Sequence, residues 1–237
     1  MMNKQENVNR KYRLALTKGE EVRFLSHLDY AQALERMIRR ANLPAAYSEG
    51  FNPHMKISFS SALALGVTAI QEYMDLELEV ALAPEEIQER LNATAAPGIR
   101  VVEVREIPLQ VKKLMAICNY AEYTILGTAE EGADWNALLK PFNEAEELPY
   151  KKVTPKKVRD LNMKDFIRGA ITVEQKGASV RMHVPVGIYP TGTVKPSEIW
   201  RYGKEQFGWP VSDGYSLSRD VIAIEQEGKI LTPFEIL

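Results

Sequence analysis

Two of the three histidines in this 237-residue chain, His27 and His54, lie in short polar segments on either side of one basic stretch. The first segment is Arg23-Phe-Leu-Ser-His-Leu-Asp29 and the second Tyr47-Ser-Glu-Gly-Phe-Asn-Pro-His-Met-Lys56; Arg36, Arg39 and Arg40 stand between them. Imidazoles titrate near neutral pH and can pass protons or donate to an anion. Asp29 and Glu49 add carboxylates, Asn52 an amide and Lys56 an ammonium. Such a set suits a phosphate: Lys and Arg neutralise the charge, and the histidines serve as donors or as acid and base. Two histidines with Asp29 or Glu49 could also ligate zinc or iron. The histidines are 27 positions apart, however, and the sequence does not bring them together, so no metal and no cofactor is assigned.

Each residue also has a structural reading. Ser26 and Asp29 fit a capping box, in which the serine oxygen accepts from a free first-turn amide and the acid reaches back to the cap. His27 would lie in that same first turn, where free amides and the helix dipole favour an anion; alternatively it is a half-buried histidine bonded to a backbone carbonyl. Gly50 supplies a positive φ or a close backbone approach, and Asn52-Pro53 initiates a turn. Phe51 either plugs the core beneath that turn or, if exposed, stacks on a base. The third histidine, His183, alternates on a strand and reads as structural.

The elements that must position these residues follow from periodicity. Tyr12 to Thr17 alternates as a strand, and Val22 to Leu25 could form a second arm after a turn at Lys18-Gly-Glu20. Leu28, Ala31, Leu34, Met37, Ile38 and Ala41 share one face of a helix over 28–41, with the arginines on the other side. Lys56 to Phe59 is strand-like. Met74, Leu76, Leu78 and Val80 alternate with Asp75, Glu77 and Glu79, so the acids form one strand face. Pro84 opens a helix with acids at its positive end, and Ile99 to Ile107 returns as a strand. The order is β-α-β-β-α-β. After a connector at Pro108 to Leu114 it recurs, with strands at 121–128, 170–174, 179–185 and 221–226 and helices at 134–142 and 196–207. The fold class expected is therefore α+β, two tandem ferredoxin-like (βαββαβ) domains. One spans 11–107 and carries both histidine segments; the other spans 118–237 and holds a basic insertion.

Composition narrows the classes. A hydrophobic fraction of 45% and a charged fraction of 26% are those of an ordinary globular protein. No run nears the roughly 20 apolar residues of a membrane span, and Met1 to Lys11 lacks the apolar core of a secretory signal, so a cytoplasmic protein is expected. Cys118 is the only cysteine, which rules out an internal disulfide and any thiolate-rich cluster. Glu130 to Glu147 carries six acids against Lys140, and Lys151 to Arg168 carries seven bases, including Lys156 and Lys157, against two acids. The two blocks could pair with each other, or the basic one could face a polyanion. Signatures of phosphate loops, nucleophile elbows and zinc hydrolases are absent.

Phe24-Leu-Ser-His-Leu-Asp29, Ala33-Leu-Glu-Arg36, Arg39-Arg-Ala41, Leu43-Pro44, Tyr47-Ser-Glu-Gly-Phe-Asn-Pro-His54 and Lys56-Ile-Ser-Phe59 resemble the radical-SAM-linked bacterial family of unknown function, domain of unknown function 2344. Glu72-Tyr73 and Asp75 fit its pattern, as do Arg159-Asp-Leu161 and Gly192-Thr-Val-Lys-Pro196 further on. Met55 stands where a proline is frequent. The resemblance implies a protein that works beside a radical-SAM protein near RNA-processing systems, with no established activity. The chain lacks C-x-x-x-C-x-x-C and cannot itself hold an iron–sulfur cluster.

The reading is an RNA-binding accessory module of a tRNA or rRNA modification system, partnered by a radical-SAM protein and possessing an anion site of Ser26, His27, Asp29, Arg36, Arg40, Glu49, Asn52, His54 and Lys56. One alternative is an RNA-processing or base-modifying enzyme using His27 and His54 as acid and base. Another is a protein-only partner subunit that docks through the acidic face of Asp75, Glu77 and Glu79.

Overall fold

The first strand of this protein alternates in sequence, yet residues 12–16 are buried on both of its sides. The computed structural model describes residues 9–154 and 157–236. It is a mixed α+β fold that divides into two units: residues up to Cys118 together with those from Ile222 on, and Asn119–Val221.

The first unit contains β1 (Arg10–Lys18), α1 (His27–Arg40), β2 (Ile57–Phe59), β3 (Val67–Leu78), α2 (Pro84–Thr94), β4 (Ile99–Ile107) and the single turn α3 (Leu114–Ile117). β1 lies between β4 and β3, antiparallel to both, and β2 pairs antiparallel with β3. One face of this sheet presents Leu14, Leu16, Met74, Leu76 and Leu78 to the apolar stripes of α1 and α2, among them Leu34, Met37, Ile38, Ile87 and Leu91. That packing explains why the helix periodicity was readable. The expected arm at Val22 to Leu25 is instead a three-residue helical turn, Glu20–Val22. The chain beyond it is held by Lys18, whose buried ammonium donates to the carbonyls of Arg23 (3.1 Å) and Leu25 (3.0 Å). Carbonyls that would have entered a strand ladder are used there instead.

The opposite face is also covered. Arg13 and Asp75 sit opposite each other on β1 and β3, both fully buried. They form a bidentate pair at 2.7 and 3.1 Å. The remaining guanidinium nitrogen donates to the carbonyls of Pro233 and Ile236. Phe234 packs edge-on against Tyr73, with ring centroids 5.3 Å apart, and lies under the Arg105 guanidinium at 4.5 Å. Glu235 fixes this segment by accepting from the Thr232 amide (2.6 Å) and hydroxyl (2.8 Å), and the bond from the amide holds its carboxyl below the usual range. The acidic docking face is thereby corrected: Asp75 is consumed by Arg13, Glu77 pairs with Lys56 at 3.3 Å, and only Glu79 is exposed. A charge facing the covered side of a sheet needs a buried partner, and Arg13 is that partner.

The second unit contains β5 (Tyr120–Ala129), α4 (Trp135–Glu144), β6 (Pro149–Thr154), β7 (Lys157–Asn162), β8 (Thr172–Lys176), β9 (Ser179–Gly187), α5 (Pro196–Phe207) and the first part of β10 (Val211–Gln226). Its strand order is β10-β5-β9-β8, while β6 and β7 pair, among the described residues, only with each other. Removing that hairpin leaves the same element order as the first unit, and the two strand orders correspond position for position. The basic insertion is this hairpin. Lys156 lies outside the described residues, and so does the Lys157 side chain. Lys152 binds the Thr193 carbonyl at 2.6 Å and Glu198 at 3.6 Å, and Lys164 binds the Asn143 carbonyl. These two bases therefore bind carbonyls and Glu198 rather than the carboxylates of the acidic block. The core is aromatic: Trp209 lies against Gly203 of α5, where an added Cβ would fall 2.0 Å from its ring, and Phe142 stacks on Trp209 with centroids 5.1 Å apart. His183 lies opposite Thr124, with Nδ1 3.3 Å from its hydroxyl, in a structural role. The last residues of β10 return to the first unit, where β11 (Lys229–Leu231) pairs antiparallel with them. No helix among the described residues is long and apolar enough to cross a membrane.

Replacing Asp75 with Ala strands a buried guanidinium and should cost about 3–5 kcal/mol in urea unfolding, whereas the volume-matched double change Arg13→Met with Asp75→Leu should recover most of that loss.

Candidate functional site

Ser26 caps α1. Its oxygen accepts from the Asp29 amide at 3.2 Å, as expected, but the reciprocal half of the box differs. The Asp29 carboxylate accepts from the Ser26 hydroxyl at 2.6 Å rather than from the cap amide. One hydroxyl thus gives its proton to the acid and its lone pair to the backbone, and Asp29 is spent on the cap.

His27 is the first residue of α1 and is half-buried. Its ring stands edge-on to Phe59 of β2, with centroids 5.2 Å apart and planes at 80°. Phe59 packs against the apolar core beneath the helices. His27 is therefore part of the layer on the helix side of the sheet. Close by, Tyr30 donates to the Thr17 carbonyl at 3.0 Å and lies 5.7 Å from the Lys18 ammonium; burial, then the charge of Glu72, pushes its hydroxyl well above the usual range.

The second segment is a hairpin-like loop. Tyr47 bridges Met55, the Ser48 amide donates to the His54 carbonyl at 2.8 Å, and the Ser48 hydroxyl accepts from the His54 amide at 2.9 Å. Gly50 turns the tip with φ +117°, which a side chain would resist. Beyond it Phe51 is fully exposed, and no ring among the described residues stacks on it. Glu49, Asn52 and the His54 imidazole are exposed too, and their side chains have no partner among the described residues. Met55 then drops into the core, and Lys56, on the alternate side, meets Glu77. Glu77 belongs to the face opposite α1 and α2, so the sheet separates the Lys56 ammonium from His27.

The arginine edge borders the loop. Arg39 approaches the Tyr47 hydroxyl at 3.5 Å and pairs with Glu35 at 2.8 Å, contacts that raise the guanidinium above its usual value. Arg36, one turn earlier, is exposed and has no partner among the described residues. Arg40 reaches the Thr94 carbonyl at 2.7 Å and so ties α1 to the end of α2. The structure thus brings Arg39 against Tyr47, at the start of the loop that carries Glu49, Asn52 and His54, with Arg36 one turn earlier on the same helix. Ser26, His27 and Asp29 are at the other end of the helix. Among the described residues no three His, Cys, Asp or Glu side chains gather closely enough to hold a metal.

Sequence reasoning passed over Phe24 and Leu65. Phe24 is 66% exposed under Arg23 at 4.6 Å, and Leu65 is 64% exposed in the loop whose Gly66 amide donates to the Arg23 carbonyl. Leu28, counted as a core position, is 72% exposed. Their only signal in the sequence was apolar residues crowding a polar segment.

Residues 11–196 match the family described as an uncharacterized protein conserved in bacteria, DUF2344. No curated protein matches the sequence. Among solved structures, a Cbf5–Nop10–Gar1 complex aligns at 14% identity over 90% of this chain and 50% of that one, with a TM-score of 0.46. An archaeal box H/ACA sRNP Nop10–Cbf5 complex aligns at 14% over 87% and 46%, with a TM-score of 0.41. A protein of unknown function from Galdieria sulphuraria aligns at 15% over 90% and 100%, with a TM-score of 0.27. The chain spans about half the length of the first two, and none of the three likenesses is close enough to carry an argument.

Ser26→Ala should cost about 1 kcal/mol of unfolding free energy through loss of the cap, while Phe51→Ala and His54→Ala should stay within about 0.5 kcal/mol, because neither side chain is buried; thermal and urea melts of the three variants check this.

Proposed function

We propose that this chain, which belongs to the bacterial family DUF2344, is an RNA-binding accessory module of a tRNA or rRNA modification system, working in the cytoplasm beside a radical-SAM protein. The observation that carries the reading is Phe51. A positive-φ glycine projects this ring fully into water beside unpartnered Asn52 and His54, next to the arginine edge. An aromatic with no core to fill and polar groups at its sides suits an unstacked base. Arg36 and Arg39 would meet the neighbouring phosphates, and Asn52, His54 and Glu49 the base edges. Ser26, Asp29 and Arg40 hold the helix that carries this surface, and Lys56 and His27 brace the two faces of the sheet beneath it. The radical-SAM partner rests on the family resemblance of the two histidine segments. The tandem ferredoxin-like reading, with modules put at 11–107 and 118–237, draws support from the repeated element order and from strand orders that correspond between the units, the residues from Ile222 on grouping with the first.

A second reading, a protein-only partner subunit, is favoured by the exposed Phe24, Leu28 and Leu65. Bare apolar side chains on neighbouring segments suit a partner protein. In this reading they replace the acidic strand face as the contact surface.

Fluorescence anisotropy with labelled tRNA and rRNA fragments tests the first reading. Salt-dependent binding is expected, weakened by about 1–3 kcal/mol in Phe51→Ala, with a shallower salt slope in Arg36→Ala. Absence of salt-dependent affinity for every fragment sinks it. Loss of a co-purifying radical-SAM protein in Phe24→Ser/Leu28→Ser, with RNA affinity intact, would mark the second surface as the partner contact.

A further inference from the structure

The two later motifs, Arg159-Asp-Leu161 and Gly192-Thr-Val-Lys-Pro196, play no part in the site above, yet the second unit brings them together. Arg159 on β7 donates to the Thr191 carbonyl at 3.4 Å, and Lys152 on β6 donates to the Thr193 carbonyl at 2.6 Å. The hairpin is thereby fastened to the loop that leads into α5. Between hairpin and helix lies a cleft of about 810 Å³, continued by a second of about 520 Å³ that shares Tyr150, Lys151, Arg201 and Glu205 with it. Both are lined only by residues of the second unit.

The chemistry of the lining is specific. Lys151, Lys195 and Arg201 face the larger cleft, and none has a carboxylate partner among the described residues. Three other charges of the lining are already used. Lys204 pairs with Asp213, and Glu198 is held by the Lys195 amide at 2.8 Å and by Lys152. Tyr150 and Tyr215 supply ring faces: Tyr150 is joined to Arg201 through its hydroxyl at 3.3 Å, and Tyr215 is set 5.7 Å from the buried Trp200 ring. Trp200 itself is fixed by its bond to the Ser212 carbonyl at 2.9 Å, so the floor is rigid. Two acids of the lining have no partner among the described residues: Glu205, exposed in both clefts, and Asp160, exposed in the smaller one.

We propose that this cleft is a nucleotide-binding site, with phosphate on Lys151, Lys195 and Arg201, the base against Tyr150 or Tyr215, and Glu205 accepting from an exocyclic amine or a ribose hydroxyl. Three unpaired cations fit one or two phosphates, because planar guanidinium and mobile ammonium groups both donate to phosphate oxygens. Tyrosine faces accept any base, so the site is tolerant of sequence. Glu205 opposes a second run of phosphate and confines the ligand to a short stretch. The nucleotide comes either from a single-stranded segment of RNA or as a free mononucleotide. The site is independent of the Phe51 surface, so either can fail without the other.

The test titrates full-length protein with AMP and with a ten-residue oligoadenylate by calorimetry, and repeats both with Lys195→Ala/Arg201→Ala and with Glu205→Gln. Both variants change exposed side chains, and unaltered melting shows that they fold. Binding of the oligomer that drops at least tenfold in the double variant, with a salt slope shallower by about 1.4 for two lost single-strand contacts, supports the site and identifies its ligand as a strand. Binding of AMP alone with the same loss supports it and identifies a free nucleotide. If neither ligand binds, or if the double variant binds as the parent does, the proposal is overturned.

Discussion

A guanidinium sealed from water must find a carboxylate and enough carbonyls to occupy its five donor hydrogens, or the strand carrying it will not stay buried. Arg13 meets that demand with Asp75 on the neighbouring strand and with the carbonyls of Pro233 and Ile236. The pair fixes the register of β1 on β3, and through it the level at which β2 joins the sheet. β2 in turn carries Phe59, against which His27 rests, and follows the loop that raises Phe51 into solvent. The exposed loop therefore stands on a polar contact buried beneath the opposite face of the same sheet.

How much of this was readable depends on which force dominated each stretch. Where one side of a helix is apolar and the other wet, as in α1 and α5, periodicity gave the element to within a residue or so. β1 and β3 are covered on both sides, and there the same rule misled: alternation placed Asp75 and Glu77 on an open face, because the segment that covers Asp75 lies more than 150 positions further along the chain. The arm expected at Val22 to Leu25 failed for a related reason. A buried lysine, Lys18, takes the carbonyls that a strand would have used, and lysine carries no sequence signal of burial.

The site was legible in part. Serine at the cap, the glycine turn and the proximity of the arginines to the second segment were all visible in residue types. That Asp29 serves the cap hydroxyl, that Lys56 answers Glu77, and that the sheet parts Lys56 from His27 depended on side-chain direction. The cleft of the second unit was hidden further, because its cations come from a hairpin and a helix about 45 positions apart, and only the fold makes them neighbours.

The return of residues from Ile222 onward to the first unit has a consequence for biosynthesis. The second unit is continuous in sequence and leaves the ribosome whole. The first is split around it, so β1 is made long before the residues that close over Arg13. During that interval a charged, partly apolar sheet face stands open to water and to other chains. Its closure is a late, long-range event with high loop-closure entropy. A truncation that spares every residue of α1 and both histidine segments, but removes Thr232 to Ile236, would leave that face permanently unfinished.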